Sequence, residues 1–313
     1  MISRVSTKDM SREDWLNARR RSIGGSDAGA LLGLNPYNSP YALWAEKTGK
    51  IVPEGIGDRE AVRLGNDLEQ YVAERWMEAT GKKLRRDNSI IYNSEYPFAH
   101  ANIDKAVIGE PDAGFEAKTT SSFDVLAKCR AGEFPYTWYA QVTHYMMVTG
   151  ARRWYLGVLC LGHGFFHFVI ERNEAEIKAL AGAERSFWDG VCSNIPPALD
   201  GSQATQNAIR AIFPESTAGR AADLTGVGSH IATFLALEKE IKELEEAKTK
   251  QQNIIMEFME DAERGEYNGV KISYKTQERK TFDRKGFEAA NGPIAPAFFK
   301  TSQSRPFRVT AEK

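Results

Sequence analysis

Apolar residues at helical spacing mark one long helix in the first third of the chain. Leu64, Leu68, Val72 and Trp76 recur every fourth residue, which predicts a helix from a cap at Asp58 to about Thr80. Similar periodic stretches, bounded by glycine or capping residues, predict helices at 136–148 and 174–191 and strands at 89–92, 154–161, 164–170 and 270–275. This order of elements predicts an α/β fold, with a mixed central sheet flanked by helices.

A change in composition near residue 200 divides the chain. Pro196-Pro197 and a stretch rich in Gly, Ser, Thr and Ala predict a domain at 1–200, a linker at 201–228 and a C-terminal region at 229–313. Within that region, residues 234–258 follow a heptad pattern that is apolar at both ends and polar in the middle, which predicts a long helical arm before a small α+β region. Two arrangements stay open for the arm: packing on its own domain, or a coiled-coil contact with another chain.

The bulk composition excludes several classes of protein. The net charge is −1, so any nucleic-acid contact depends on local clusters, such as residues 265–313, where ten Lys and Arg face five Asp and Glu. Three isolated cysteines exclude a four-cysteine zinc or iron–sulfur site. Because no apolar run could span a bilayer and the N-terminus lacks the apolar stretch of a signal peptide, we expect a cytoplasmic protein without a membrane partner.

The candidate chemistry lies on a short hairpin. Gly109-Glu110-Pro111-Asp112 predicts a turn between two strands. With the turn centred there, Asp104 and Glu116 lie opposite each other on antiparallel strands, and the period of two places Lys118 on the same face. Asp112 also precedes Glu116, but four residues are too few to close a hairpin with both acids in register. Asp112 therefore belongs to the turn.

Two facing carboxylates repel each other and raise each other's pKa unless a cation lies between them. Asp104 and Glu116 therefore suit Mg²⁺, which binds one or two carboxylates together with waters and phosphate oxygens, and Mn²⁺ as a substitute. Lys118 would orient a water molecule or offset developing charge, as in a phosphodiester hydrolase. The alternative is a surface hairpin in which an acid and a lysine face each other without any catalytic role.

A second candidate site lies near the N-terminus, where paired glycines lead into a helix at Ser26-Asp27. The free N–H groups and dipole of a helix start favour a phosphate, and Arg19 lies one short helix away. The alternative is an ordinary capped helix, and the negative charge of Asp27 counts against an anion there.

Three further polar residues lie on predicted helices. Glu69 lies beside the apolar stripe of the long helix and is either a third acid at the metal site or a solvated residue. Gln141 and Tyr145 are spaced i, i+4 and share a helix face. His144 lies between them and fits a packed histidine better than a metal ligand.

Several segments in order resemble one family far more specifically than any one segment does. They are Arg19 to Asp27, Leu34-Asn-Pro-Tyr-Asn-Ser-Pro-Tyr41, Gly65-Asn-Asp-Leu-Glu69, Ala101-Asn-Ile-Asp104, Glu116-Ala-Lys118-Thr-Thr and Gln141-Val-Thr-His-Tyr145. This order resembles the YqaJ-type phage recombinases, relatives of phage lambda exonuclease within the PD-(D/E)XK nuclease superfamily. The resemblance covers roughly residues 10–200 and implies a restriction-endonuclease-like core.

The resemblance also implies an activity and roles for individual residues. It implies a Mg²⁺-dependent exonuclease that degrades the 5′-ended strand of linear duplex DNA and leaves 3′ single strands for recombination by annealing. The residues that match the family's motifs are expected to act as follows: Asp104 and Glu116 as metal ligands, Lys118 as the catalytic lysine, Glu69 as the acid on a helix near the metal, Gln141 and Tyr145 as the Q-x-x-x-Y helix, and Arg19 and Ser26 as the 5′-phosphate grip, with Tyr145 also facing the DNA. Ile103 replaces the proline of the superfamily motif, which leaves the metal ligand unaffected.

The resemblance finally implies partners and an origin. It implies a homo-oligomer, typically a trimeric ring, that binds double-stranded DNA ends and cooperates with a single-strand annealing protein in a bacterial host, encoded by a phage or prophage. Two alternatives keep the same residues. One is an endonuclease with the same active site, and the other is a non-catalytic DNA-binding module for recombination.

Overall fold

The computed structural model describes residues 1–52, 60–294, 296–300 and 305–309. Two compact units divide the chain, Met1–Pro214 and Glu215–Lys313, and each is described by itself. The helix cap expected at Asp58 lies outside the described residues.

The first unit is built from helices and strands in alternating groups. Its helices are α1 (Arg12–Arg20), α2 (Gly25–Leu31), α3 (Pro40–Lys47), α4 (Glu60–Thr80), α5 (Phe123–Arg130), α6 (Tyr136–Thr149), α7 (Glu174–Cys192) and α8 (Gln203–Ile212). Its strands are β1 (Ile2–Ser6), β2 (Lys83–Arg86), β3 (Ser89–Asn93), β4 (His100–Ala101), β5 (Lys105–Ile108), β6 (Ala113–Thr120), β7 (Arg153–Cys160) and β8 (Gly164–Glu171).

A mixed sheet forms the centre of this unit. Five strands lie in the order β2-β5-β6-β7-β8, and all neighbours are antiparallel except β6 and β7, which run parallel. A parallel pair needs a crossover connection, and α5 and α6 supply it between β6 and β7. A smaller antiparallel sheet has the order β1-β3-β4. The predicted fold class, a mixed sheet flanked by helices, is confirmed.

Two helices cover the two faces of the sheet. On one face α4 packs Trp76 against Phe115 and Tyr155, with ring centroids 5.2 and 4.9 Å apart. On the other face α6 is buried along most of its length, and its Val142 and Met146 belong to the larger core. Because side chains alternate along a strand, residues next to Phe115 face α6 instead of α4.

The β5–β6 hairpin has the register that the sequence predicts. Lys105 pairs with Phe115 and Ala106 pairs with Gly114, so one step further along Asp104 lies beside Glu116. Gly109 has a positive φ of 87° in the connecting turn, a conformation that glycine adopts without strain. Asp112 lies in that turn, as expected.

Helix ends follow the capping rules. The side chains of Ser11, Ser39 and Ser122 accept hydrogen bonds from backbone N–H groups of α1, α3 and α5. Pro40 occupies the first turn of α3, and α6 ends at Gly150 with a φ of 71°. These ends place the polar residues of α6 at fixed positions above the sheet.

One predicted boundary is wrong. The linker was expected to begin at residue 201, yet α8 spans Gln203–Ile212 and belongs to the first unit. Thr205 Oγ1 donates a hydrogen bond to Ser39 Oγ over 2.7 Å, and Ala208 is buried. A contact between residues so distant in sequence orders a segment whose composition alone resembles a linker.

The second unit contains a long helix and a small hairpin. Helix α9 spans Gly228–Met259, strands β9 (Arg264–Tyr267) and β10 (Val270–Ser273) pair antiparallel, and α10 spans Arg284–Asn291. Asn268 and Gly269 both have positive φ, as a two-residue type I′ turn requires. Leu237, Ile241 and Leu244 on the heptad stripe of α9 are exposed. Of the described helices, none is long and apolar enough to cross a membrane.

Candidate active site

Asp104 and Glu116 form the centre of the candidate site. Asp104 follows the short strand β4, and its Oδ2 accepts a hydrogen bond from the backbone N–H of Ala117 over 2.9 Å. Glu116 lies in β6, is 3% exposed, and its Oε1 accepts hydrogen bonds from Lys118 Nζ at 2.7 Å and Gln141 Nε2 at 2.8 Å. The hairpin therefore brings the two acids and the lysine together, as the sequence predicts.

The pKa of Asp104 lies well above its usual range. Burial is the largest cause, and the negative charges of Glu116 and Glu69 add to it, while the Ala117 N–H and the Lys118 ammonium act in the opposite direction. A buried and a partly buried carboxylate beside one lysine leave a surplus of negative charge. A cation placed between the carboxylates would remove the repulsion.

Gln141 connects the hairpin to α6. Its Oε1 accepts a hydrogen bond from Lys118 Nζ over 2.8 Å, and its Nε2 donates to Glu116 Oε1 and to the Tyr145 hydroxyl, each over 2.8 Å. A lysine ammonium can only donate, which fixes the orientation of the amide. Burial, together with the charges of Glu116 and Asp104, raises the pKa of Tyr145 well above its usual value, so its hydroxyl stays protonated.

Arg19 and Ser26 also lie together. The Arg19 guanidinium donates a hydrogen bond to Ser26 Oγ over 2.9 Å and stacks on the Trp15 ring, 4.5 Å from its centroid. The N-terminus of α2 packs directly on α6. The approach is so close at Gly25 that a Cβ there would clash with the ring of Tyr145. This contact places the Arg19–Ser26 pair next to the helix that holds Gln141.

The charge of Asp27 is compensated within the protein. Asp27 Oδ2 lies 2.6 Å from Lys47 Nζ and accepts the Gly24 N–H over 2.9 Å. Burial raises the pKa of Asp27, but the charge and hydrogen bond of Lys47 outweigh it and bring the pKa below its usual value. The acid that counted against an anion at this helix start is therefore held by a lysine.

Glu69 lies close to the two carboxylates and pairs with a lysine. It lies on α4, and its Oε1 is 3.0 Å from Nζ of Lys105, a lysine that is 6% exposed. Its charge contributes to the raised pKa of Asp104, so it is close to the carboxylates, but its direct partner is a cation. Lys105 is a further residue near the site that the motifs do not single out, although its place directly after Asp104 puts it on the opposite face of the hairpin.

A cavity of about 230 Å³ lies between α4 and the β2–β5 edge of the sheet. Asn66, Glu69, Arg86 and Lys105 are among its lining residues. Arg86 lies in the edge strand β2, whose sequence Lys83-Leu-Arg-Arg86 carries three positive charges.

The donor set fits a hard divalent cation. Glu116 Oε2 is buried and accepts no hydrogen bond from any residue that the structure describes, although a carboxylate oxygen removed from water needs a partner. Within the described ranges no three acidic, histidine or cysteine residues converge into a closed metal cage. Two carboxylates in an open arrangement match Mg²⁺, which keeps waters and substrate phosphate oxygens among its ligands.

The chain is similar to known proteins over most of its length. The profile of the YqaJ-like viral recombinase domain matches residues 14–152, which include all the candidate residues. The uncharacterized protein YqaJ of Bacillus subtilis (strain 168) is 37% identical over 275 residues, covering 87% of this chain and 85% of its own. The crystal structure of the alkaline exonuclease LHK-Exo from Laribacter hongkongensis matches with a TM-score of 0.50 at 18% identity, over 58% of this chain and 94% of its own. At that identity the match supports the fold alone.

Proposed function

Since the chain belongs to the YqaJ-like viral recombinase family, we propose that it is a Mg²⁺-dependent 5′→3′ exonuclease of linear double-stranded DNA. It would generate 3′ single strands for recombination by strand annealing. One observation carries the proposal: the partly buried Asp104 faces the buried Glu116, and Glu116 Oε2 has no hydrogen-bond partner among the described residues, while a lysine and an amide hold Oε1.

Asp104 and Glu116 are the residues that would hold Mg²⁺. Bound there, the ion would polarise the scissile phosphate and make a bound water more acidic. Lys118, held by Glu116 and Gln141, orients the attacking water or offsets the charge that develops on the phosphate oxygens. Tyr145 accepts a hydrogen bond from Gln141, so its own proton is free to be donated to the DNA backbone.

Action at DNA ends is favoured over cleavage within a strand. Arg19 and Ser26 provide a guanidinium and a hydroxyl that suit a terminal 5′ phosphate, and they lie beside α6. An endonuclease cuts in mid-strand and has no use for such an end-binding pair. LHK-Exo also has a crystal structure in complex with dAMP, and we propose nucleoside monophosphates as the products of this chain.

A non-catalytic DNA-binding module is the alternative from another class. It would gain nothing from a buried and a partly buried acid that repel each other, because such a pair reduces the stability of the fold. We further propose, from the family resemblance, a trimeric ring, an annealing protein as a partner and a place in the cytoplasm of the host.

The test is digestion of a linear duplex labelled at one end, with Mg²⁺ or EDTA and with a 5′ phosphate or a 5′ hydroxyl. We expect Mg²⁺-dependent release of mononucleotides from the 5′-ended strand, faster from the phosphorylated end, and no cleavage of a closed circle. Arg19→Ala should reduce the preference for phosphate, while Arg20→Ala, an exposed arginine on the same helix, should leave it unchanged. Cleavage of the closed circle would establish the endonuclease, and DNA binding without cleavage would establish the non-catalytic module.

A further inference from the structure

A buried ion pair lies directly behind the candidate site. His144 on α6 and Glu184 on α7 are both 0% exposed, and His144 Nδ1 lies 2.7 Å from Glu184 Oε1. The second ring nitrogen, Nε2, lies 2.8 Å from the backbone carbonyl oxygen of His100. A carbonyl oxygen can only accept, so Nε2 carries a proton and donates it to β4.

Both nitrogens of His144 act as donors. Burial lowers the pKa of His144, but the Glu184 carboxylate and the His100 carbonyl raise it by more, so the pKa lies above its usual value. The ring is therefore held as an imidazolium between a carboxylate and a carbonyl. Glu184 lies outside the segment that matches the family profile, and no role follows for it from the sequence.

His100 extends this network to the N-terminal segment. Its Nδ1 lies 2.8 Å from Ser22 Oγ, and its backbone N–H donates to the carbonyl of Ile23 over 2.8 Å. A Cβ on Gly24 would lie only 3.0 Å from the His100 ring. The segment that leads to Ser26 is therefore built directly against the residue that His144 holds.

Three parts of the candidate site meet at this network. Helix α6 carries Gln141, about one turn before His144, and Tyr145, the residue directly after it. Strand β4 leads from His100 into Asp104, and Ser22 leads into Ser26. The 2.8 Å contact from His144 to the His100 carbonyl links α6 to β4, and separate hydrogen bonds of His100 link β4 to the segment at Ser22.

We propose that His144 and Glu184 are positioning residues that set the distance between the metal-binding carboxylates and the Arg19–Ser26 pair. This inference rests on the proposed function. It adds that a buried ion pair outside the site keeps the residues that bind the 5′ end at the right distance from the residues that cleave the DNA. Neither side chain touches DNA or metal. They act through the backbone of His100.

The test uses the full chain with two variants and a matched control. Glu184→Gln keeps the shape but removes the charge that holds the imidazolium. The double variant His144→Leu with Glu184→Met replaces the whole pair by apolar groups, a change that buried ion pairs commonly tolerate without loss of stability. Thr143→Val is the control, because Thr143 is a buried neighbour on α6 whose Oγ1 has no hydrogen-bond partner among the described residues.

Three quantities are measured for each protein: the thermal midpoint, kcat and KM in Mg²⁺, and the ratio of affinities for 5′-phosphorylated and 5′-hydroxyl duplexes in EDTA. We expect the double variant to keep the thermal midpoint but to lose about tenfold in kcat and in the affinity ratio, as second-layer changes commonly do. Glu184→Gln should lose activity in the same direction, and Thr143→Val should match the wild type.

Wild-type kinetics and an unchanged affinity ratio in a stable double variant would overturn the inference and leave the proposed function intact. If the wild type itself neither cleaves nor prefers phosphate, the proposed function fails and this inference fails with it. Should the double variant not fold, Glu184→Gln decides, because it keeps the shape of the side chain and removes only its charge. A lowered affinity ratio in Glu184→Gln supports the inference, and an unchanged ratio overturns it.

Discussion

Two lysine–glutamate pairs lie on opposite faces of the same hairpin, and they differ in how their charges balance. Lys118 lies 2.7 Å from Glu116 on the face toward α6, and Lys105 lies 3.0 Å from Glu69 on the face toward α4. In the first pair the carboxylate is the buried partner, at 4% exposure of its side chain. In the second the lysine is buried, at 7%, and the carboxylate is 30% exposed.

The difference shows why only one pair has the properties of a reactive site. Glu69 and Lys105 neutralise each other, and the partly exposed carboxylate retains contact with water. Glu116 shares its lysine with Gln141 and faces a second acid, the partly buried Asp104, so one negative charge stays uncompensated. A lysine beside a glutamate is therefore not sufficient, and the surplus carboxylate is what makes a divalent cation a natural partner.

The largest expected effect separates the two lysines. Lys118→Ala should lower kcat by about 10³-fold, because an aligned cation near the reacting phosphate contributes on that scale. DNA binding should persist, since both proposed metal ligands remain. Lys105→Ala is the matched control and should change kcat far less. Single-turnover digestion of a phosphorylated duplex measures both, and equal losses in the two variants would remove the distinction between the pairs.

A smaller effect is expected for Gln141, whose amide binds the Lys118–Glu116 pair. Gln141→Leu should lower kcat by about 10- to 100-fold, because Lys118 and Glu116 lose their shared partner and their fixed geometry. KM should change little. Gln70→Leu on α4 is the control, since Gln70 lines the cavity beside Glu69 and its side chain bonds to Glu74. An unimpaired Gln141→Leu enzyme would contradict the role of this residue.

The stability of the metal-free protein should show the repulsion between Asp104 and the neighbouring carboxylates. The raised pKa of Asp104 means that the folded state binds its proton more tightly than the unfolded state, so this group costs stability as the pH rises above about 4. Asp104→Asn should therefore stabilise the protein in EDTA at pH 7 by about 1 to 2 kcal/mol, with a smaller gain at pH 4. Urea unfolding at both pH values measures this. A destabilised Asp104→Asn variant would show that the carboxylates do not repel each other.

The smallest effect is expected for Glu69. Glu69→Gln should weaken Mn²⁺ binding less than threefold, because Glu69 is engaged by Lys105, whereas loss of a direct ligand or its support costs about 10- to 100-fold. Calorimetric titration with Mn²⁺ compares this variant with Glu116→Gln. A loss as large as that of Glu116→Gln would make Glu69 a third metal ligand.

Local patterns predicted the centre of the site. The turn at 109–112 fixes the hairpin register, and the period of two then places Asp104 beside Glu116 with Lys118 on the same face. The i, i+4 spacing of Gln141 and Tyr145 likewise predicts the contact between their side chains. These relations depend on residues that are close in sequence.

Contacts between distant segments could not be predicted in this way. Lys105 meets Glu69 across 36 positions, and His144 meets Glu184 across 40. Strand β2 lies at the edge of the sheet, where charged side chains are common, so its sequence lacks the alternation of apolar and polar residues that identifies a strand. Helix α8 is ordered by a hydrogen bond from Thr205 to Ser39. In each case tertiary packing decides what the local sequence leaves open.

The most direct test of the central claim is anomalous diffraction from crystals of this protein soaked in Mn²⁺. The account predicts a peak that contacts both Asp104 and Glu116 Oε2, with Lys118 nearby and outside the coordination shell. A peak at Glu69 without Asp104, or no peak between Asp104 and Glu116 at saturating Mn²⁺, would contradict it.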